Sequence, residues 1–120
     1  MTRIILVDDD LSGLEMLRRG LEVDGHEVQA IGDSRDALAV LVANPMVCDL
    51  LITDISMPDI DGVSLVEEVL KLRSDLPVIM MSGLADELKR AEALKVDNVR
   101  MVSKPLSFET IRSEVQAVFG

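Results

Sequence analysis

The chain has 120 residues, a size that fits one domain and leaves no room for two. Its net charge of −10 disfavours nucleic-acid binding, because a nucleic-acid interface needs a basic face to neutralise phosphates. Cys48 is the only cysteine, which excludes an intrachain disulfide, and no apolar run approaches the roughly 20 residues of a membrane span. We therefore expect a cytoplasmic protein that contacts neither nucleic acid nor membrane.

Short apolar runs alternate with segments of helical periodicity along the chain. Apolar runs at residues 4–7, 50–53, 78–81 and 99–102 predict buried strands, and the weakly alternating residues 26–31 predict a shorter second strand. Each strand is followed by apolar residues at helical spacing, which predict amphipathic helices. In chain order these apolar residues are Leu11, Leu14, Leu17 and Leu21; Leu38, Leu41 and Val42; Val63, Val66, Val69 and Leu70; Leu84, Leu88 and Ala91; and Phe108, Ile111, Val115 and Val118.

Turn and capping residues mark where these elements begin and end. Asp33 or Ser34 is suited to cap the second helix, and Pro77 opens the fourth strand. Strands that alternate with helices of this length form parallel βαβ units with right-handed crossovers. The sequence therefore predicts a single-domain α/β fold over residues 1–120, in which a doubly wound five-stranded parallel sheet carries helices on both faces.

Polar residues follow four of the predicted strands. Asp8 and Asp9 follow the first strand, and Asp54 follows the third. Ser82 follows the fourth strand, and Lys104 comes shortly after the fifth. Because the carboxyl ends of strands in an open parallel sheet share one edge, we expect these side chains to meet there. Three carboxylates, a hydroxyl and an ammonium group are what a magnesium-dependent phosphoryl-accepting aspartate requires.

Over essentially its whole length the chain resembles the receiver domain of two-component response regulators. The four matching segments occur in order and at the family's spacings, and together they are far more specific than any one of them alone. The resemblance implies a flavodoxin-like sheet with strand order 2-1-3-4-5 in a bacterial signalling protein. The segments are Ile-Leu-Val-Asp8-Asp9-Asp10, Ile-Thr-Asp54-Ile-Ser56-Met-Pro-Asp-Ile-Asp-Gly62, Met-Met-Ser82-Gly83 and Ser-Lys104-Pro105.

The resemblance also implies a role for each residue of the reacting group. Asp54 would be the nucleophile that takes a phosphoryl group from a phosphohistidine and forms an acyl phosphate. Lys104 would pair with Asp54 at rest and with a phosphoryl oxygen after transfer, and Ser82 would donate a hydrogen bond to another phosphoryl oxygen. In the family the Lys104-Pro105 bond is cis, which would place the ammonium group in the pocket.

A Mg²⁺ ion is the cofactor that the resemblance implies. Asp9, Asp54 and the backbone carbonyl of Ser56 would hold it, and Asp8 would act mainly through metal-bound water. Magnesium prefers few protein oxygens completed by waters and phosphate oxygens, so this sparse set of ligands suits it. The ion would neutralise the repulsion between a carboxylate and an anionic phosphoryl group.

The function implied is that of a switch and not of a metabolic enzyme. The phosphoryl donor would be a histidine kinase or a histidine phosphotransfer protein, and the phosphorylated surface would control an output domain or a partner protein. The acyl phosphate would hydrolyse slowly. We expect no output domain within these residues, so the chain is either a free-standing regulator or a receiver from a hybrid kinase or a longer regulator. Homodimerisation through the fourth and fifth elements is a further expectation from the family.

Three residues, at two places in the chain, depart from the family's pattern. Met101 stands where the family usually has an aromatic residue that rotates inward after phosphorylation. Methionine is flexible enough to fill or vacate the same space, so we expect a different conformational output. Asp97 and Asn98 replace the usual Gly-Ala before the fifth strand, and both can adopt turn conformations.

Three alternative functions fit parts of the pattern. Residues 8–12 (Asp-Asp-Asp-Leu-Ser) resemble the motif of haloacid dehalogenase phosphatases, but that reading leaves Asp54 and its loop unexplained. Such a phosphatase would lose activity with Asp8→Asn, whereas a receiver would lose phosphorylation with Asp54→Asn. A degenerate receiver that serves only as a protein-binding platform is the second alternative. A nucleotide-binding fold is the weakest, because no glycine-rich loop follows the first strand.

Overall fold

The computed structural model describes residues 2–105 and 107–119, in which strands and helices alternate. The strands are β1 (Arg3–Val7), β2 (Glu27–Ile31), β3 (Leu50–Asp54), β4 (Val78–Ser82) and β5 (Val99–Ser103). The helices are α1 (Leu11–Val23), α2 (Ser34–Ala43), α3 (Gly62–Leu72), α4 (Ala85–Glu92) and α5 (Phe108–Phe119). Every predicted element is present, and each strand differs from its predicted span by a single residue at one end.

The five strands form one parallel sheet in the order β2-β1-β3-β4-β5, which confirms the flavodoxin-like topology. Asp54 pairs with Met81, and Ser82 pairs with Ser103. The ladder therefore runs through the polar residues that close β3 and β4, beyond the apolar runs from which these strands were predicted. In this way the polar residues Asp54 and Ser82, which end neighbouring strands, lie within one residue of each other along one edge.

Two apolar clusters, one on each face of the sheet, form the core. Successive side chains of a strand point to opposite faces, so Ile4 and Leu6 lie in one cluster while Ile5 and Val7 lie in the other. Helices α1 and α5 cover the first cluster, and α2, α3 and α4 cover the second. The prediction of helices on both faces is thereby confirmed.

Helix α4 packs less tightly than its predicted apolar residues suggest. Leu84, predicted as part of its stripe, precedes the helix as its N-cap and is 58% exposed. Ala91 is the buried residue of α4, and Leu88 is half-buried against the cluster beneath. The side chain of Leu84 therefore does not contribute to the core, and α4 covers the sheet with few apolar contacts.

Cys48 lies just before β3 and is buried as a small apolar residue among aliphatic neighbours. Across the two described stretches of chain, none of the helices has the length and apolar character needed to cross a membrane.

Candidate functional site

The residues predicted to meet do lie together at the carboxyl edge of the sheet. Asp8 follows β1, Asp54 ends β3 and Ser82 ends β4, and all three are buried although they are polar. Lys104 follows β5 and reaches toward β3 and β1. In open α/β sheets this edge is where ligands bind.

Three carboxylates form the acidic half of the site. Asp8, Asp9 and Asp54 each present an oxygen, and these oxygens lie within 4.8 Å of one another. Asp8 and Asp54 are buried, whereas Asp9 is exposed. Carboxylates this close repel one another unless a cation or a proton lies between them. An oxygen-only cluster that opens to solvent on one side is suited to Mg²⁺, which retains several of its waters.

A single ammonium group partly compensates this charge. Lys104 Nζ lies 3.1 Å from Asp54 Oδ1 and 3.7 Å from Asp8 Oδ2. Burial lowers the pKa of Lys104, but the hydrogen bond to Asp54 and the charge of Asp8 outweigh it, and the pKa is raised overall. The Lys104-Pro105 peptide bond is cis, as the family resemblance implies.

Burial has the opposite consequence for the two carboxyl groups. It raises the pKa of Asp54 above its ordinary value; the hydrogen bond from Lys104 opposes this change and the charge of Asp8 adds to it. The pKa of Asp8 is likewise raised by burial, although the Asp10 backbone N–H donates to its Oδ1 at 3.0 Å. Burial therefore disfavours the ionised form of both carboxyl groups, and a cation bound at the site would stabilise that form.

The backbone around Asp54 is held by close contacts on both sides. Thr53 Oγ1 donates a hydrogen bond to the Asp54 carbonyl at 2.9 Å. Gly62, the first residue of α3, packs so closely that a Cβ placed there would lie 2.2 Å from the same carbonyl oxygen. Asp61 caps α3 by accepting a hydrogen bond from the Ser64 backbone N–H at 2.9 Å. These contacts place the start of α3 directly under Asp54.

The three consecutive aspartates after β1 have different surroundings. Asp10 is the N-cap of α1 and accepts hydrogen bonds from the backbone N–H groups of Ser12 and Gly13 at 3.2 and 3.4 Å. Its carboxylate is therefore occupied by helix capping and does not belong to the acidic cluster of Asp8, Asp9 and Asp54. Ser56, whose backbone carbonyl the resemblance assigns to the metal, is exposed in the loop after β3.

The hydroxyl of Ser82 is engaged by a residue that the sequence analysis did not single out. Ser82 Oγ donates to Glu87 Oε1 at 2.5 Å and accepts from the Leu84 backbone N–H at 3.0 Å. The Ser82 carbonyl accepts a hydrogen bond from the Lys104 N–H at 2.8 Å, which ties β4 to the segment after β5. An acidic residue in the first turn of a helix usually stabilises the helix dipole, so Glu87 carried no distinguishing signal in the sequence.

Met101 lies on β5 and is half-buried against the cluster under α2, α3 and α4. The side chain thus packs where its flexibility is useful for filling space. The different conformational output expected from Met101 stays a prediction.

Comparisons with known proteins point to one family and one fold. A family model described as the response regulator receiver domain matches residues 4–116. The two-component response regulator ORR26 of Oryza sativa subsp. japonica is 33% identical over 117 residues, which cover 98% of this chain and 20% of that protein. The chain spans less than half the length of the first curated relatives that it matches.

Solved structures with the same fold include isolated receivers. A response regulator receiver domain protein from Clostridium thermocellum superposes with a TM-score of 0.89 at 25% identity, covering 98% of this chain and 94% of its own. The receiver domain of the hybrid histidine kinase CckA superposes with a TM-score of 0.82 at 28% identity, covering 98% and 99% of the two chains.

Proposed function

Because the chain belongs to the response regulator receiver domain family, we propose that it accepts a phosphoryl group on Asp54 and acts as a switch in two-component signalling. The observation that carries this proposal is the surroundings of Asp54, which lies 3.1 Å from the Lys104 ammonium group and presents an oxygen within 4.8 Å of the carboxylate oxygens of Asp8 and Asp9. The receiver unit is proposed to comprise residues 1–120, alone or as part of a longer protein.

The reaction proposed is a displacement at phosphorus. An Asp54 carboxylate oxygen attacks the phosphoryl group of a phosphohistidine, a new O–P bond forms, and the P–N bond breaks as the donor imidazole leaves. Mg²⁺ held by Asp9, Asp54 and the Ser56 carbonyl, with Asp8 nearby, would supply positive charge to the phosphoryl oxygens. The donor is proposed to be a histidine kinase or a histidine phosphotransfer protein.

Two side chains have to change partners during transfer. Lys104 leaves the Asp54 oxygen that becomes esterified and pairs with a phosphoryl oxygen, so that positive charge follows the negative charge. Ser82 donates a hydrogen bond from its hydroxyl to a second phosphoryl oxygen, which requires that it release Glu87. Slow hydrolysis of the acyl phosphate would then reset the switch.

Intact mass after incubation with acetyl phosphate tests the proposal directly. We expect one Mg²⁺-dependent phosphoryl adduct on the wild type and none on Asp54→Asn. The matched control is Asp59→Asn, the same change at an exposed residue of the following loop. If Asp54→Asn still forms the adduct, or the folded wild type forms none in Mg²⁺, phosphoryl acceptance at Asp54 is wrong. The second result would favour a protein-binding platform.

A second pair of variants tests the metal assignment. Asp9→Asn removes a carboxylate of the acidic cluster, so we expect the Mg²⁺ concentration needed for half-maximal phosphorylation to rise at least about tenfold, as for a lost charged ligand. Asp10→Asn is the same change one residue away, and asparagine caps helices about as well as aspartate. Asp10→Asn should therefore leave the Mg²⁺ requirement unchanged. Equal requirements in the two variants would contradict the assignment of Asp9.

A phosphatase of the haloacid dehalogenase type is disfavoured by the same geometry. Its motif would require the third aspartate of the run to serve the reaction, yet Asp10 caps α1. Release of phosphate from acetyl phosphate by Asp54→Asn, abolished in Asp8→Asn, would support the phosphatase instead.

A further inference from the structure

We propose that Glu87 is a positioning residue that holds the Ser82 hydroxyl at rest and couples phosphorylation of Asp54 to the placement of α4. The inference rests on the proposed function, because it concerns how the same site is regulated. The hydrogen bond from Ser82 Oγ to Glu87 Oε1 at 2.5 Å is the observation from which it starts.

This hydrogen bond competes with the role proposed for Ser82. A serine hydroxyl has one proton to donate, and of the two acceptors in reach the Glu87 carboxylate at 2.5 Å is nearer and stronger than the Leu84 carbonyl at 3.4 Å. The Leu84 backbone N–H donates to the same oxygen at 3.0 Å and so fixes the hydroxyl in this orientation. Ser82 therefore cannot donate to a phosphoryl oxygen until it leaves Glu87.

Among the described residues, helix α4 buries fewer side chains than any other helix. It has 8 residues, buries only Ala91, and begins at Leu84 without a side-chain cap. In contrast, α3 buries five of its residues against the sheet. Since helices in proteins are stabilised mainly by the packing of an apolar face, α4 is held weakly by that face.

A second polar contact links α4 to the site but is more exposed. Arg90 Nη2 lies 3.1 Å from Asp61 Oδ2, the N-cap of α3, and the Arg90 side chain is 51% exposed. An ion pair that exposed contributes little to stability. The contact between Ser82 and Glu87 is partly buried, so it is the stronger of the two links between α4 and the site.

The direction of the coupling follows from charge. A phosphoryl group on Asp54 both attracts the Ser82 proton and repels the Glu87 carboxylate, so the two effects act in the same sense. Release of Glu87 removes the partly buried hydrogen bond that joins the end of β4 to the first turn of α4. Met101 replaces the aromatic residue that would otherwise rotate in this region, and Glu87 supplies a route from the site to α4 that does not need such a residue.

Beryllofluoride with Mg²⁺, a phosphoryl mimic, provides the first test. Binding of beryllofluoride to the wild type has to break the contact between Ser82 and Glu87, which lowers the apparent affinity for the mimic. Glu87→Ala lacks this contact and should therefore bind beryllofluoride about tenfold more tightly, the effect expected for one hydrogen bond to a charged group. Asp86→Ala is the matched control, because Asp86 is an exposed acidic residue of the same helical turn. It removes an equal charge and should leave the affinity unchanged.

Measuring the effect of Glu87→Ala in the Ser82→Ala variant tests whether Glu87 acts through the Ser82 hydroxyl. If Glu87 acts through the Ser82 hydroxyl, the gain in beryllofluoride affinity from Glu87→Ala should be much smaller in the Ser82→Ala variant than in the wild type, because only the repulsion by the Glu87 charge remains there. Glu87→Gln retains an acceptor of the same shape without the charge, and its affinity should fall between those of Glu87→Ala and the wild type.

Hydrogen exchange at residues 85–92 provides the second readout. In the wild type, exchange in α4 should accelerate when beryllofluoride binds, whereas in Glu87→Ala it should be fast from the start and respond little. A merely structural role would accelerate exchange in the core strands as well and would not tighten ligand binding.

The outcomes distinguish this inference from the proposed function. If the wild type forms the Asp54 adduct while Glu87→Ala binds beryllofluoride no more tightly, the role of Glu87 is overturned and the proposed function stands. An equal gain in the Ser82→Ala background would overturn it too. If the wild type forms neither the adduct nor the beryllofluoride complex, both are overturned.

Discussion

At the scale of single residues, the buried carboxylates that suit the site to bind a cation also destabilise the fold. Asp8 and Asp54 are buried beside each other, and burial raises the pKa of both carboxyl groups. A group whose pKa is raised on folding contributes stability in its protonated form. That contribution is complete below the pKa of the unfolded chain, about 3.9, and is lost as the pH rises through the folded value.

This sign gives a prediction for Asp54→Asn in metal-free buffer. At neutral pH the variant should have a higher free energy of unfolding than the wild type, because it no longer buries a charge close to Asp8. The difference should shrink as the pH falls and the wild-type carboxyl binds its proton. Urea denaturation at several pH values measures it. A wild type that is more stable than the variant at pH 7, with the gap closing in acid, would show that Lys104 dominates the surroundings of Asp54.

Neighbouring residues of one type also differ in what they do. Asp8 is buried in the site, and Asp9 is exposed at the site. Asp10 instead caps helix α1. Their side chains take these directions because the chain turns from β1 into α1 within these residues. The roles of three consecutive aspartates can therefore be assigned only when the position of each side chain is known.

At the scale of elements, the junction between β3 and α3 determines how Asp54 is presented. Gly62 begins α3 directly against the Asp54 backbone, and its N–H donates to the Ile55 carbonyl at 2.8 Å. The close approach is possible only without a Cβ, since backbone atoms would have to move to make room for one.

We accordingly expect Gly62→Ala to destabilise the protein by about 1–3 kcal/mol, the usual cost of overpacking a tight site. It should also slow phosphorylation, because Asp54 would be displaced. Gly83→Ala provides the comparison, since its Cβ would meet the Lys104 side chain at an ordinary 3.7 Å. Urea denaturation of both variants checks the expectation. Similar stabilities for Gly62→Ala and Gly83→Ala would mean that the α3 start can shift freely.

At the scale of the whole molecule, the sheet joins two cores into one structure. Residues of β1 alternate between the cluster under α1 and α5 and the cluster under α2, α3 and α4. Loss of the central strands would therefore expose both clusters at once. Such an arrangement favours cooperative unfolding.

The chain of 120 residues should consequently unfold in one transition when expressed alone. Calorimetry should give equal calorimetric and van't Hoff enthalpies, near 80 kcal/mol at the midpoint for a chain of this size. The chain contains neither Trp nor Tyr, so circular dichroism is the suitable second probe. Two resolved transitions, or enthalpies that disagree, would indicate that the two faces unfold separately.

The sequence by itself determined the elements and which polar residues stand at the carboxyl ends of the strands. Apolar runs, helical spacing and turn residues act over a few positions, so β1 through β5 and their helices could be located from local pattern alone. Asp54 and Ser82 were found because a polar residue that ends a buried strand stands out against its apolar neighbours. The strand order followed from the family resemblance, since alternation of strands and helices does not specify it.

Only the tertiary structure decided which of these residues touch. The contact of Ser82 with Glu87, the close approach of Gly62 to Asp54 and the exposure of Leu84 all depend on how separate elements pack. Local sequence pattern specifies whether a residue suits a helix, a strand or a cap, but not which atoms of another element will lie opposite it. Those distances are fixed by the packing of the whole core, to which residues far apart in the chain contribute together.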